Sequence, residues 1–439
     1  MKIKVSIIMP SLNVVDYIDE AIQSVREQSL IEIEILCIDA GSTDGTIDII
    51  KRHEKEDRRV KYYSCDVKSY GYQVNFGINR LKGEFFGIVE TDDYVDSNMY
   101  ETLYSLVKEY DLDFAKANYK AFITQENGER FFLNRKNFIN DKFYNCVIRP
   151  RDFTEIAIGD WYNCQGIYSS EFIRKYDIKF SETPGAAFQD IGFLYYAIVS
   201  AEKVMYTKDY FYQYRVDRID SSSNSGKGIK YSYYEFKRLV EAAGEEWSFE
   251  QLRVLYLRMA KSFISSYGDL RNTEIKISDD ERNSYYNWFK TVMKRAISKT
   301  IIQESDMPRG MWESLKALLE SERQLQILQL KTDLIDEIKK RTKNAAEIII
   351  FGCGNYGYDA YRELKRGHID VKAFIDNNSE LWGRYLEGIP IMAPANVADY
   401  NAETIFIIAN DLYYKEMMDQ LLNLGRKKEK ICIYKKIME

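Results

Sequence analysis

Histidine is almost missing from this sequence: His53 and His368 are the two in 439 residues. The cysteines, Cys37, Cys65, Cys146, Cys164, Cys353 and Cys432, show no CxxC spacing, which argues against a zinc centre. Scattered thiols of this kind fit a reducing cytoplasm better than a disulfide framework. No apolar run approaches the ~18 residues a membrane helix needs. The short apolar stretch in "MKIKVSIIMPS" reads as a strand rather than a signal peptide. Basic excess is missing too: 62 Lys and Arg face 68 Asp and Glu, a net charge of −6. That balance argues against a nucleic-acid groove. Internal repeats and low-complexity tracts are lacking.

What is present describes a soluble globular protein, with 45% hydrophobic and 30% charged residues. The length calls for two or three domains. Thirty-five tyrosines suit wet, sugar-like or interfacial surfaces. The fold class expected is α/β, in three parts: residues 1–227, a helical region over 228–343, and a small Rossmann-like unit over 344–439.

The first ~120 residues alternate strand and helix signals, the mark of a mostly parallel sheet with right-handed crossovers. "KVSIIM", "EIEILCID", "VKYYSC" and "EFFGIVE" read as strands. "DYIDEAIQSVREQ" places Ile18, Ala21, Ile22 and Val25 on one helical face. In such sheets ligands bind beyond the carboxyl ends of the strands. The loops holding Ser11, Asp39, Asp66 and Asp92–Asp93 all follow strand ends and are expected to converge. From about 228 to 343, apolar residues recur at three- and four-residue spacing with charges between them. That pattern reads as a helical connector or interaction module, with faces that offer pairing between copies of the chain.

The stretch "GIVETDDYVDSN" ends a strand in Glu90, Asp92 and Asp93. A solvated turn with a capping Asp explains such a run in isolation. Here the first half lacks a GxxxxGK[ST] phosphate loop. A diphosphate approaching Asp92 and Asp93 would meet like charge, and a bound Mg²⁺ or Mn²⁺ reverses that sign. The acidic strand end therefore makes sense as a metal–diphosphate seat. "ETPGAAFQDIGFLYY" offers Asp190, after a Pro-Gly turn and ahead of an apolar helix, as a carboxylate able to take a proton from an attacking hydroxyl. Partial burial by Phe188 and Phe193 would raise its pKa and make it a better base.

Four stretches in order, "VSIIMPSLN", "IDAGSTDGT", "NFGINRLKGEFFGIVETDDYV" and "FQDIGF", resemble the inverting family 2 glycosyltransferases of GT-A fold, over roughly residues 3–225. "SYGYQ-N-GI", "ETDD" and "TPGA--QD" are similar to a bacterial subgroup that builds surface polysaccharides. The resemblance implies a nucleotide-sugar donor, most simply UDP-linked, and a saccharide or lipid-linked acceptor. It implies work in the cytoplasm, with peripheral attachment at the inner face of the membrane compatible with it. By this likeness Pro10, Ser11 and Asn13 line the nucleotide pocket, Asp39 faces the base or ribose, and Asn75 supports the pocket. Asp92 contacts the ribose, Asp93 coordinates Mn²⁺ or Mg²⁺, and Asp190 is the catalytic base. Trp161 is implied as an acceptor-stacking residue, and Arg215 as a diphosphate contact on a closing loop. Asp66 falls among the donor-side loops by its place after a strand. The chain departs from the family pattern at Ala40 and Val74, at Glu90 where many relatives have Asp, and at Gln189 where many have Glu. The QxxRW signature of processive synthases is absent, so one sugar per encounter is expected.

Near the C-terminus a strand, Glu347 to Phe351, runs into Gly352, Gly354 and Gly357 in GxGxxG spacing. A helix and a second strand ending at Asp376 follow. This is the dinucleotide-type fingerprint in its required context. It supports a rival reading, an NAD-dependent or nucleotide-sugar-modifying enzyme, although no Tyr-x-x-x-Lys follows and little room remains for a substrate domain. A binding or docking role for NAD or another nucleotide is the expectation there. A nucleotidyltransferase is disfavoured because "PSLNVVDY" has neither glycine nor basic residue. A catalytically inactive sugar-nucleotide-binding relative is the remaining alternative.

Overall fold

Apolar runs become strands buried on both faces, as parallel sheets require. In this computed structural model β1 (Val5–Ser11) and β2 (Ile33–Asp39) are buried at every position. The structure describes the chain except residues 1, 126, 139, 160–161, 218–227, 245–246, 269–276, 331–333, 335–337, 339–346, 411–412 and 435–439. Two compact units form, residues 1–121 with 135–307, and residues 122–134 with 308–439.

In the first unit, α1 (Ile18–Arg26) buries Ile18, Ala21, Ile22 and Val25, the face its periodicity marks. The elements α2 (Thr46–Glu56), β3 (Val60–Ser64), α3 (Tyr70–Ile78), β4 (Phe85–Ile88), β5 (Tyr94–Val95) and α4 (Met99–Tyr110) continue the alternation. Next come β6 (Phe114–Thr124), β7 (Arg130–Arg135), α5 (Thr154–Ile158), β8 (Gly166–Ser169), α6 (Ser170–Lys175), α7 (Asp190–Ser200) and β9 (Val204–Arg215), of which the end of β6 and nearly all of β7 fall in the 122–134 segment counted with the second unit. Among the described residues they make a sheet in the order β3-β2-β1-β4-β8-β6-β9-β5, with β7 paired to β6. The first four strands are parallel, and β8 returns antiparallel to both β4 and β6. Parallel register sets Ser11 opposite Asp39, and Asp39 opposite Ser64, so these strand ends share one edge.

Helices α8 (Gly228–Ala242), α9 (Phe249–Gly268) and α10 (Asp279–Ser298) belong to the same unit. They pack through aromatic rings, with Phe263 stacked on Phe289 at 4.3 Å and 7°. A capping box between Ser278 and Glu281 starts α10. No described helix is long and apolar enough to cross a membrane.

The second unit holds α11 (Arg309–Glu320), α12 (Glu322–Leu330) and a smaller sheet. That sheet uses β10 (Ile348–Phe351), β11 (Ala373–Ile375), β12 (Tyr385–Leu386), β13 (Ile389–Met392), β14 (Ile405–Ile408) and β15 (Ile431–Ile433). Their order is β12-β13-β11-β10-β14-β15, parallel except for β12. Helices α13 (Asn355–Arg366) and α14 (Tyr414–Asn423) accompany it, and Ile349, Phe351, Phe406, Ile408 and Leu421 form its core. The glycine spacing has a steric cause. Gly352 sits at φ +95°, and a Cβ on Gly357 would lie 1.9 Å from the Gly352 carbonyl oxygen.

Candidate active site

At the carboxyl edge of the large sheet lies a cleft of about 520 Å³, within the size range of small-ligand sites. Its wall takes Pro10 and Ser11 from the end of β1, Thr91 and Asp92 from beyond β4, and Asp190 from the first turn of α7. Arg215, the last residue of β9, closes one side. The sequence thus brings Pro10, Ser11, Asp92, Asp190 and Arg215 together from four separate segments. Thr91 Oγ1 donates to the Pro10 carbonyl at 2.9 Å, which ties the two strand ends.

Several expected donor residues stand behind this wall. Asp39 is fully buried, and its carboxylate accepts from Ser11 Oγ at 2.8 Å, Gly41 N at 2.9 Å, Ser42 N at 2.7 Å and Ser42 Oγ at 2.6 Å. It shapes the turn after β2 and does not reach the cleft surface. Asn13 (φ 53°) donates its N–H to Ser42 Oγ and accepts from Thr43 N at 2.9 Å, so it joins the first loop to the second. Asn75 donates to the Phe180 carbonyl and to Glu182 Oε1, both at 2.9 Å, and accepts from Phe180 N at 3.0 Å. It fastens the segment that leads to Asp190. Asp66 is exposed, and its loop meets the cleft through Lys68, Ser69 and Tyr70 instead.

The two adjacent carboxylates separate. Asp92 is half-buried on the cleft wall. Asp93 is 2% exposed and points inward, where it accepts from Arg215 N at 2.7 Å, Tyr212 Oη at 2.8 Å and Tyr162 Oη at 3.1 Å. Three protein donors occupy the oxygens that a metal ion would need. The expected metal ligand Asp93 is thus engaged with protein donors in this structure, and Asp92 is the carboxylate of the pair that faces the cleft. Arg215 also differs from expectation. It is a buried strand residue whose Nε donates to the Asp92 carbonyl at 3.0 Å, and its guanidinium lies near Glu20, Asp217 and the ring of Tyr17. The proposed closing loop lies mostly at 218–227, outside the described residues, and so does Trp161.

Asp190 is held by its neighbour. Gln189 is 1% exposed; its Oε1 accepts from Gly71 N at 3.0 Å, and its Nε2 donates to the Thr183 carbonyl and to Thr183 Oγ1. Backbone bonds from Tyr70 N to the Gly185 carbonyl and from Gly185 N to the Lys68 carbonyl, both 2.9 Å, pin the same loop to the start of α3. A Cβ at Gly71 would fall 1.9 Å from the Ser181 carbonyl oxygen, so only glycine admits this approach. Phe188 adopts φ 62°, a left-handed turn that a bulky residue rarely takes. It turns Gln189 into the interior while Asp190 lines the cleft.

Electrostatics follow from burial. Asp190 is pushed up to about 6, chiefly by burial, opposed by its own backbone N–H and by Arg258. Glu90 is pushed up to about 7 by burial and by the Asp92 charge, against hydrogen bonds from Tyr70 and Cys164. Burial and Asp92 also raise Asp93 well above the usual carboxylate range. Gln73, to which the sequence reading gave no role, donates to the Ser11 carbonyl at 2.8 Å and the Ile38 carbonyl at 2.7 Å from the cleft wall. Its signal was the "SYGYQ" run, where a glutamine at a sheet edge has two carbonyls within reach.

The donors available suit a hard cation. Oxygen atoms of Asp92 and of an incoming diphosphate match what Mg²⁺ and Mn²⁺ prefer. Among the described residues no three His, Cys, Asp or Glu gather to hold a metal, so a protein-only cage is not what the cleft offers. One or two carboxylates with substrate phosphates is the arrangement it fits.

In the second unit, Asp376 turns back onto the glycine loop. Its Oδ2 accepts from Cys353 N at 2.9 Å and Cys353 Sγ at 3.2 Å, and Oδ1 accepts from Asn378 N at 2.8 Å. Gly354 is exposed, and Asn355 Nδ2 donates to the Asn134 carbonyl at 2.5 Å within the same unit.

Comparison with known proteins bears on the family and the fold. The sequence profile of glycosyl transferase family 2 matches residues 6–165, and one described as C2185-like, N-terminal, matches residues 344–432. Glycosyltransferase GlyG of Streptococcus pneumoniae is 30% identical over 218 residues, covering 48% of this chain and 70% of that protein. The poly(ribitol-phosphate) beta-glucosyltransferase of Bacillus spizizenii is 24% identical over 294 residues, covering 65% of this chain and 44% of that protein. Among solved structures, S. aureus TarS 1-349 in complex with UDP-GlcNAc aligns with a TM-score of 0.54 at 17% identity, covering 77% of this chain and 92% of that one. This last likeness speaks for the fold.

Proposed function

The chain belongs to glycosyl transferase family 2, and from that premise we propose an inverting, metal-assisted transfer of a single sugar from a nucleoside diphosphate to a saccharide or lipid-linked acceptor in bacterial surface-polysaccharide assembly. The observation that carries it is Asp190, a carboxylate of raised pKa on the wall that also presents Asp92. UDP is the favoured carrier, since TarS is known with UDP-GlcNAc.

The acceptor hydroxyl oxygen attacks the anomeric carbon while its proton passes to Asp190. The bond from that carbon to the diphosphate breaks, and the diphosphate leaves with the electron pair. Attack from the face opposite the leaving group inverts the centre. Gln189 and the Gly185 backbone pairs fix where Asp190 presents its oxygens, so little reorganisation accompanies proton transfer. Pro10, Ser11 and Thr91 shape the donor side, with Gln73 holding the β1 and β2 ends in register. Asp92 is the residue that would hold a divalent cation, which when bound offsets the charge on the departing diphosphate.

Asp190→Asn tests the reading. Transfer should fall by about 10²–10⁴-fold, the usual worth of a positioned general base, with UDP affinity nearly unchanged. Normal turnover in that variant would remove the base assignment.

A further inference from the structure

Three tyrosines on the cleft wall, Tyr162, Tyr214 and Tyr231, are unused by the chemistry above. Each is half-buried, offering part of a ring to the opening. Tyr214 lies two residues beyond Tyr212 on β9, so both project from one face of the strand. The Tyr162 ring packs against both, at 5.5 Å from Tyr212 and 5.3 Å from Tyr214. Its hydroxyl is drawn inward to Asp93, which fixes the ring plane. Tyr231 comes from α8, one helical turn before Glu235 and on the same face of that helix. Glu235 Oε2 lies 3.5 Å from where a Cβ on Gly192 of α7 would stand, and its charge acts on Asp190. Tyr231 is thus on the side of the cleft that borders the base.

We infer that these tyrosines form an acceptor subsite for an uncharged sugar ring. Resting on the glycosyltransferase reading, the inference adds the acceptor's chemical class. A tyrosine ring offers flat apolar area at low entropic cost, matching the C–H face of a pyranose. Charge selects in the same direction. Glu90, Asp92 and Asp190 line the cleft with Lys68 and Arg215, and Arg215 is already engaged with the Asp92 carbonyl and near Glu20. An anionic polyol phosphate would approach a wall with more carboxylates than cations, whereas a neutral glycan incurs no such repulsion.

Saturation-transfer NMR on the full chain with UDP and diamagnetic Mg²⁺ tests this, using cellobiose, lactose and maltose as neutral probes and ribitol 5-phosphate as the anionic one. The expected result is transfer to ring protons of at least one disaccharide. That signal should fall at least about fivefold in Tyr231→Ala and in Tyr214→Leu, with UDP affinity held within about twofold and melting temperature retained. Tyr231 makes the safer variant, because it sits on a helix surface rather than in the sheet. Preference for ribitol 5-phosphate would overturn the inference. So would disaccharide signals that survive both substitutions, or no disaccharide signal from a protein that binds UDP. Failure to bind UDP at all would instead refute the glycosyltransferase reading beneath it.

Discussion

Asp92 and Asp93 are adjacent, and exchanging their fates is the sharpest perturbation the site allows. Asp93→Ala removes a carboxylate that accepts from Arg215 N, Tyr212 Oη and Tyr162 Oη in a place 2% exposed. Each buried donor left without a partner costs about 1–3 kcal/mol. Tyr162 borders the cleft and can turn to water, so the sum is expected near 3–5 kcal/mol rather than the full threefold maximum. At roughly 2–4 °C per kcal/mol for a unit of this size, the melting temperature should drop by about 6–20 °C. Asp92→Asn keeps its shape and half-exposed place, and should shift the melting temperature by no more than about 2 °C. Its effect belongs to binding. Calorimetric titration of UDP with Mn²⁺ should weaken by at least about tenfold, while titration without metal changes little. The two variants separate stability from ligation. If Asp93→Ala melted normally yet lost its Mn²⁺-dependent UDP binding, the inward assignment of Asp93 would be wrong.

Sugar transfer, or donor hydrolysis in its absence, should rise with pH through about 6 as Asp190 loses its proton, and Glu235→Gln should move that limb downward by removing a like charge. A pH–rate profile flat between 5 and 7 would contradict the raised Asp190. Gln189→Glu puts an acceptor-only carboxylate against the Thr183 carbonyl, which now receives the Nε2 hydrogen bond. Turnover should fall by about tenfold or more while UDP affinity stays level, and isothermal titration beside an initial-rate assay separates the two. Stability should decline as pH rises. Asp190 and Glu90 have folded pKa values of about 6 and about 7, raised above their ordinary 3.8 and 4.5, so the native state keeps protons that the unfolded chain has released. The contribution of this pair lies between about pH 4 and 7, and the slope there should become shallower in Glu90→Gln/Asp190→Asn, with Asp93 still contributing, read by urea unfolding at fixed ionic strength.

Much of the scaffold was legible because parallel strands demand continuous apolar runs. "KVSIIM" and "EIEILCID" have no other good use, and they became β1 and β2 buried throughout. Convergence of their loops was equally readable, since parallel register fixes where strand ends fall. The orientation of side chains beyond those ends was not. Asp92 and Asp93 look alike in sequence, and what sorts them is Tyr162 and Tyr212, 69 and 119 residues further along the chain. Local pattern carries no information at that separation. Asp39 is placed in the same way: it follows a strand end, yet its carboxylate satisfies the turn after β2. Gln73 escaped because a buried amide bridging two carbonyls leaves no periodic trace. The assignment of residues 122–134 to the second unit is a tertiary fact of this kind, invisible in a hairpin's own sequence.

Three acids held in one low-dielectric corner would ordinarily be a folding error, and the way each is treated tells structure from function. Asp93 is raised by burial and by Asp92, but three protein donors already use its oxygens and it ties Arg215 at the end of β9 to the turn beyond β4, so its place is structural. Asp190 keeps chiefly its own backbone N–H and the distant charge of Arg258, and its affinity for a proton is the residue of that incomplete compensation. Glu90 is compensated only in part by Tyr70 and Cys164. A carboxylate left short of donors, on the wall of a cleft, is one the fold tolerates because a ligand completes it. On the proposed reading an acceptor hydroxyl would supply that completion at Asp190, by giving up its proton to a group that burial has made ready to hold it.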